Sequence, residues 1–143
     1  MLVLAIIGTG AVFTGTNPTY TATELAHHIK TSRAKYLISE SAILEPLLEA
    51  AKRNNIPETN LWIFDPLSKE VPTGRRSWRE LFDHGEKDWV RFDDPKTSST
   101  TTAARLFSSG TTGLPKAVVI THRGLIGQHE MAYAADPRDY QVR

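Results

Sequence analysis

The sequence alternates between short apolar segments and segments in which apolar residues recur every three or four positions. Four apolar segments have the length of buried strands: residues 34–39, 61–64, 103–107 and 117–120. The opening segment, residues 1–7, is uniformly apolar, so its pattern leaves a buried helix and a buried strand equally open. Because strands and helices alternate, we expect an α/β fold with a doubly wound, mostly parallel sheet.

Capping residues and helical spacing predict where the helices of this fold lie. Residues 21–24 and residues 77–80 each form a capping box, with a hydroxyl residue three positions ahead of a glutamate. Leucine and alanine recur at helical spacing through residues 44–54, which predicts a third helix. A last helix is predicted to begin at Thr121 or His122.

Two pairs of neighbouring polar residues carry side chains that could ligate a metal ion. His27 and His28 are adjacent on a predicted helix and therefore point in different directions, so we expect solvated histidines. Asp93 and Asp94 precede a proline and are expected to lie in a solvated turn, followed by a connector rich in serine and threonine over residues 96–102. The sequence therefore predicts no metal site.

The composition is that of an ordinary globular protein and excludes several classes of site. The chain has 143 residues, of which 40% are apolar and 23% are charged, enough for one domain with a core. Its formal net charge of +1 gives no electrostatic case for a nucleic-acid partner. The absence of cysteine excludes disulfides, thiolate metal sites and a cysteine nucleophile.

The apolar start of the chain does not have the features of a targeting segment. No basic residue precedes residues 1–13, glycines interrupt them, and no small-residue cleavage site follows. The segment is also too short to span a bilayer. We therefore expect no membrane span and a cytoplasmic location, with a peroxisomal location as the alternative, because any C-terminal signal would lie outside this chain.

The most specific candidate chemistry lies between the last two predicted strands. The segment reads Ser108-Ser109-Gly110-Thr111-Thr112-Gly113-Leu114-Pro115-Lys116. Its glycines let backbone N–H groups face an anion, its hydroxyls can donate to phosphate oxygens, and its lysine adds a mobile positive charge. It predicts a phosphate-binding loop between two strands, whereas the four residues G-T-T-G alone are equally typical of an ordinary hairpin loop.

This loop differs from the Walker A loop of nucleotide-binding proteins. A Walker A loop has glycine directly before its lysine and Ser or Thr directly after it. Here two residues separate Gly113 from Lys116, and Ala117 follows the lysine. The nine residues, with the V-V-I-T-H-R that follows, instead resemble the phosphate-binding signature of the adenylate-forming enzymes, the AMP-dependent synthetase and ligase superfamily.

The resemblance extends beyond the loop, over residues 10–18, 23–25 and 34–38, and is closest to 4-coumarate–CoA ligases, luciferases and fatty acyl-CoA ligases. It implies that the opening segment ends a helix. It also implies that residues 1–143 are part of the AMP-binding (adenylation) N-terminal domain, including its phosphate loop. The small C-terminal domain, with the family's catalytic lysine, would lie beyond Arg143.

The resemblance also implies an enzyme, an AMP-forming acid–CoA ligase. Such an enzyme uses ATP and Mg²⁺ to convert a carboxylic acid to an acyl-adenylate and then transfers the acyl group to coenzyme A. Two alternatives remain open: a catalytically inactive truncated product, and an adenylation domain that serves a carrier protein. The implied catalytic residue is Lys116. The implied phosphate-binding residues are Ser108, Ser109, Gly110, Thr111, Thr112, Gly113 and Lys116.

A doubly wound sheet cut soon after its phosphate loop would leave one strand edge and one apolar face uncovered. We therefore expect the isolated chain to self-associate, which sedimentation at rising concentration would measure.

Overall fold

The structure is a computed structural model that describes residues 2–65, 71–108 and 115–136. Within them the chain divides into two units. Unit 1 draws on Met1–Phe13, Trp89–Leu106 and Val118–Arg143. Unit 2 draws on Thr14–Asp88 and Phe107–Ala117. No helix among the described residues is long and apolar enough to cross a bilayer.

The described chain contains α-helices, short 3₁₀ helices and strands in mixed order. The α-helices are α1 (Leu2–Gly8), α2 (Ala22–Ser32), α3 (Leu44–Arg53), α4 (Pro95–Thr100) and α5 (His122–Ala135). The strands are β1 (Leu37–Ser39), β2 (Leu61–Ile63), β3 (Arg76–Ser77), β4 (Thr102–Ser108) and β5 (Lys116–Thr121). Three 3₁₀ helices cover Ser41–Ile43, Glu58–Asn60 and Trp78–His84.

Unit 2 contains a parallel sheet with strand order β1-β2-β3. Leu37 pairs with Leu61, and Trp62 pairs with Arg76. Helices α2 and α3 pack on each other and on this sheet. Their shared core consists of Leu25, Ile29, Leu37, Leu44, Leu47, Ala50, Ala51, Leu61 and Ile63. The predicted α/β fold with a mostly parallel sheet is confirmed.

Both predicted capping boxes are present. The Thr21 side chain accepts from the backbone N–H of Glu24, and the Glu24 carboxylate accepts from the backbone N–H of Thr21 at 2.8 Å. This reciprocal pair satisfies two donors that have no partner within the helix. The second box begins at Ser77 and opens the 3₁₀ helix Trp78–His84 rather than an α-helix. Gly85 ends that helix with φ of 74°, a left-handed value that glycine adopts without a steric penalty.

Unit 1 settles the open question about the start of the chain, because residues 2–8 form helix α1. The helix ends against Trp89: a Cβ added at Gly8 would lie 2.8 Å from the indole ring, so only glycine permits this approach. Val90 then donates its backbone N–H to the Gly8 carbonyl at 2.8 Å. Further along, Phe13 forms a parallel bridge with Ala104 on β4.

The strands beside the predicted phosphate loop form a separate two-stranded sheet, β4-β5, rather than joining β1-β2-β3. Their connection is shorter than the dozen or more residues that a parallel crossover requires, so the pair is an antiparallel hairpin. Strand β3 is not among the four predicted strand segments, because Arg76 and Ser77 do not belong to an apolar run. Arg76 is held on the sheet by its guanidinium, which lies 4.7 Å from the centre of the Trp62 ring.

The prediction of a connector over residues 96–102 is wrong, because most of this segment forms helix α4. The Asp94 carboxylate accepts from the backbone N–H of Thr97 at 2.7 Å, which makes Asp94 the N-cap. Pro95 then occupies the first helical position, where its missing N–H costs nothing. A capping aspartate followed by proline was therefore the sequence signal for a helix start.

Large apolar side chains are exposed on α5 and on the part of β5 that belongs to unit 1. The exposed fractions are 56% for Val119, 57% for Ile126 and 70% for Met131. These surfaces are of the kind that favours association. The expected self-association stays a prediction.

Candidate functional site

Most of the predicted phosphate loop lies outside the described residues. This applies to Ser109, Gly110, Thr111, Thr112, Gly113 and Leu114. Ser108, Pro115 and Lys116 are described, and they flank the loop on both sides.

The two described residues with phosphate-binding chemistry lie at the same end of the β4-β5 hairpin. Ser108 is the last residue of β4 and Lys116 is the first residue of β5. Both side chains are exposed. A hydroxyl donor and an ammonium group that open to solvent at one hairpin end form a donor set that fits an oligophosphate. The ammonium group of Lys116 cannot ligate a metal ion, since it has no lone pair.

His28 is buried beneath this hairpin end, contrary to the prediction of a solvated histidine. Its side chain is only 2% exposed. Its ring stacks on Phe107 of β4 with a centroid distance of 3.8 Å and an angle of 27° between the planes. Its Nε2 lies 2.8 Å from the Thr14 hydroxyl oxygen. The Nδ1 atom has no hydrogen-bond partner among residues 2–65, 71–108 and 115–136.

This environment keeps the His28 ring neutral. Burial, aided by the neighbouring His27, lowers the pKa of His28 from 6.5 to about 4. A neutral imidazole carries one N–H. The hydrogen bond to Thr14 favours the tautomer that carries this proton on Nε2. In that tautomer no N–H is left without a partner, because Nδ1 carries only a lone pair.

His27 is half-buried and contacts the other side of the hairpin end. Its Nε2 lies 3.3 Å from the carbonyl oxygen of Pro115, the residue before Lys116. A carbonyl oxygen only accepts, so His27 is the donor in this bond. The adjacent histidines of α2 therefore contact Phe107, which precedes Ser108 on β4, and Pro115, which directly precedes Lys116 at the start of β5.

The sequence held a signal for the buried histidine that adjacency alone did not reveal. His28 and Ile29 follow Leu25 by three and four positions, and Ser32 follows them by four and three; all four are buried on one face of α2. A histidine on the apolar stripe of a helix is expected to pack in the interior. The prediction that the two histidines make a poor metal pair rests on the different directions of adjacent helix residues. The burial of His28 does not test it.

Asp65 is a second buried ionisable group, and its contacts are structural. Burial alone would raise the pKa of Asp65, but hydrogen bonds and the charge of Arg79 outweigh it and hold the pKa below its usual value. The Arg79 Nε lies 3.4 Å from the carboxylate, and Ser77 donates to it at 3.3 Å. These bonds fix the end of β2 to the 3₁₀ helix Trp78–His84. Across the described ranges, no three His, Asp or Glu side chains form a group that could hold a metal ion.

The depressed pKa of His28 predicts a pH-dependent stability. The unfolded chain takes up a proton near pH 6.5, whereas the folded chain resists it down to about pH 4, so stability falls as pH falls through this window. We expect the free energy of unfolding to drop by about 2 kcal/mol between pH 7 and pH 5 from this residue alone. Urea titrations at both pH values measure the drop.

The matched control for this prediction is His28→Gln, whose amide can replace the bond to Thr14 but does not titrate. The difference in stability between the original chain and the variant should shrink as the pH falls from 7 to 5. An unchanged difference would show that His28 is not held neutral in the folded chain.

Comparison with known proteins identifies a matching family model and similar relatives. A family model described as "AMP-binding enzyme" matches residues 1–142. The chain is 46% identical over 144 aligned residues to the phenylacetyl-CoA ligase epaB and to the acyl-CoA ligase azaF, both of Aspergillus niger. Each match covers 99% of this chain and 27% of the relative, so the chain spans about a quarter of the length of these relatives.

A solved structure supports the fold alone. The red-emitting luciferase of Phrixothrix hirtus superposes with a TM-score of 0.70 at 22% identity. That superposition covers 94% of this chain and 32% of the luciferase chain.

Proposed function

Because this chain belongs to the AMP-binding enzyme family, we propose that it serves the ATP-dependent activation of a carboxylic acid and its transfer to coenzyme A. The proposal is supported by the names of the two relatives at 46% identity, both of which are CoA ligases. The single observation that carries it is the exposed pair Ser108 and Lys116 at one end of the β4-β5 hairpin. We propose that residues 1–143 correspond to part of the adenylation domain of the longer relatives.

We propose that the segment between the two strands binds the β- and γ-phosphates of ATP. Lys116 would stabilise the negative charge that develops on the departing pyrophosphate, with backbone N–H groups and hydroxyls as further donors. The proposed phosphate-binding set is Ser108, Ser109, Gly110, Thr111, Thr112, Gly113 and Lys116. Mg²⁺, which such enzymes hold largely through the substrate phosphates, would supply further neutralisation of charge.

The proposed reaction has two balanced steps. In the first, a carboxylate oxygen of the acid forms a bond to the α-phosphorus of ATP, while the bond from that phosphorus to the pyrophosphate oxygen breaks. In the second, the sulfur of coenzyme A forms a bond to the acyl carbon, the bond to the AMP oxygen breaks, and the thiol proton leaves. Lys116 acts on the leaving group of the first step alone.

The test replaces the matching segment of the Aspergillus niger phenylacetyl-CoA ligase with this chain. We call the resulting full-length protein the exchanged ligase. We expect the exchanged ligase to catalyse ATP–pyrophosphate exchange that depends on phenylacetate, and to form phenylacetyl-CoA. A folded exchanged ligase without pyrophosphate exchange would contradict the proposal and favour an inactive chain. Transfer to a phosphopantetheine carrier protein but not to coenzyme A would favour the carrier-dependent alternative.

A further inference from the structure

Resting on the proposed function, we propose that His27 and His28 are positioning residues that hold the two strand ends carrying Ser108 and Lys116 in their phosphate-binding arrangement. Neither side chain is assigned a contact with the phosphates themselves. Both histidines and both strand ends belong to unit 2.

His28 holds the end of β4 through its ring. Phe107, the stacking partner of His28, directly precedes Ser108. Successive side chains of a strand point to opposite faces, so a Phe107 ring packed inward on His28 directs Ser108 outward. Phe107 is half-buried and Ser108 is exposed, as this alternation requires. The bond to Thr14 at 2.8 Å fixes the plane of the imidazole on which Phe107 rests.

His27 holds the start of β5 through the backbone. The Pro115 carbonyl that accepts from His27 belongs to the same planar peptide unit as the N–H of Lys116. Fixing one end of that plane fixes the other, so the hydrogen bond sets the direction of the Lys116 N–H. The pyrrolidine ring restricts φ of Pro115 in addition, which leaves the chain little freedom immediately before the lysine.

The adjacency of the histidines suits them to hold two strands at once. Neighbouring residues on an α-helix are about 100° apart around its axis, because one turn takes 3.6 residues. The two rings therefore reach different points of the hairpin end from one rigid helix. That helix is anchored by its capping box and by Leu25 and Ile29 in the core.

The alternative is that the two histidines only fill space beneath the end of the β4-β5 hairpin. A packing role and a positioning role make different predictions for a substitution that keeps the hydrogen bond. His27→Gln retains a side-chain N–H that can donate to Pro115, whereas His27→Leu retains apolar volume and removes the donor. Exposed His84, also in unit 2, provides the matched control as His84→Leu.

The experiment measures the affinity of the 143-residue chain for inorganic pyrophosphate by calorimetry. We expect His27→Leu to weaken binding by about threefold to tenfold, the range that one hydrogen bond provides. His27→Gln should restore the affinity to within about twofold of that of the original chain, a difference smaller than the usual contribution of a hydrogen bond. His84→Leu should leave the affinity unchanged. A second measurement follows the amide signal of Lys116, which should move in His27→Leu and return in His27→Gln.

The outcomes separate this inference from the proposed function. If His27→Leu binds pyrophosphate as well as the original chain while Lys116→Ala binds it less well, the positioning role is wrong and the phosphate site stands. If His27→Leu and His27→Gln weaken binding equally, the histidine acts through packing and the inference is overturned. If the original chain does not bind pyrophosphate, or if Lys116→Ala binds it equally well, the proposed phosphate site fails and this inference fails with it.

Discussion

Lys116→Ala should slow acyl-adenylate formation in the exchanged ligase by about tenfold to a hundredfold. The lysine is exposed at the start of β5, so its removal deletes a charge without opening a cavity. A charge-assisted hydrogen bond contributes about 1.5–3 kcal/mol, and each 1.4 kcal/mol corresponds to about a tenfold change in rate. ATP–pyrophosphate exchange measures this half-reaction directly.

Three comparisons sharpen the Lys116 prediction. Lys35→Ala removes another exposed lysine of unit 2 and should leave the exchange rate unchanged. Thr112→Val should cost less than Lys116→Ala, because a neutral hydroxyl contact contributes about 1 kcal/mol. Acyl transfer from preformed acyl-adenylate should proceed at the original rate in Lys116→Ala, since pyrophosphate has already left. Equal slowing of both half-reactions, or of neither, would disprove the leaving-group role.

Ile63→Ala should destabilise unit 2 by about 2–5 kcal/mol, the usual range for truncation of a fully buried isoleucine. Ile63 is completely buried on β2, the central strand of the β1-β2-β3 sheet. Its side chain belongs to the core shared by α2 and α3, so the missing atoms would leave a cavity that the flanking elements can only partly close. Urea unfolding gives the change in free energy.

The control for Ile63 is the same substitution on the surface. Ile126 is 57% exposed on α5, and Ile126→Ala should change stability by less than about 0.5 kcal/mol, because alanine also has a higher helix propensity. Ile126 belongs to unit 1, so it serves as a surface reference and not as a probe of unit 2. If Ile63→Ala cost as little free energy as is expected for Ile126→Ala, the β1-β2-β3 core would not be the main source of stability in unit 2.

The amino-acid sequence determined the local structure of this protein. Thr21 and Ser77 marked two helix starts correctly because a capping box satisfies donors within four residues of chain. The α/β class followed from the alternation of apolar segments with helical spacing, which depends on the backbone periodicity alone. The nine residues from Ser108 to Lys116 indicated the family, and the match over residues 1–142 confirms it.

Only the tertiary structure decided which distant segments meet. The apolar stripe of α2 indicates that His28 is buried. Thr14, His28 and Phe107 are far apart in sequence, so no local pattern shows that a hydroxyl and an aromatic ring enclose this histidine. The same holds for the contact between His27 and the Pro115 carbonyl, and for the separation of β4-β5 from the sheet of unit 2. Local preferences are fixed by neighbours in the chain, whereas burial and strand partners are fixed by how apolar surface is removed from water across the whole fold. The contacts that enclose His28 are therefore decided by the folded molecule, whereas the apolar stripe that buries it can be read in the sequence.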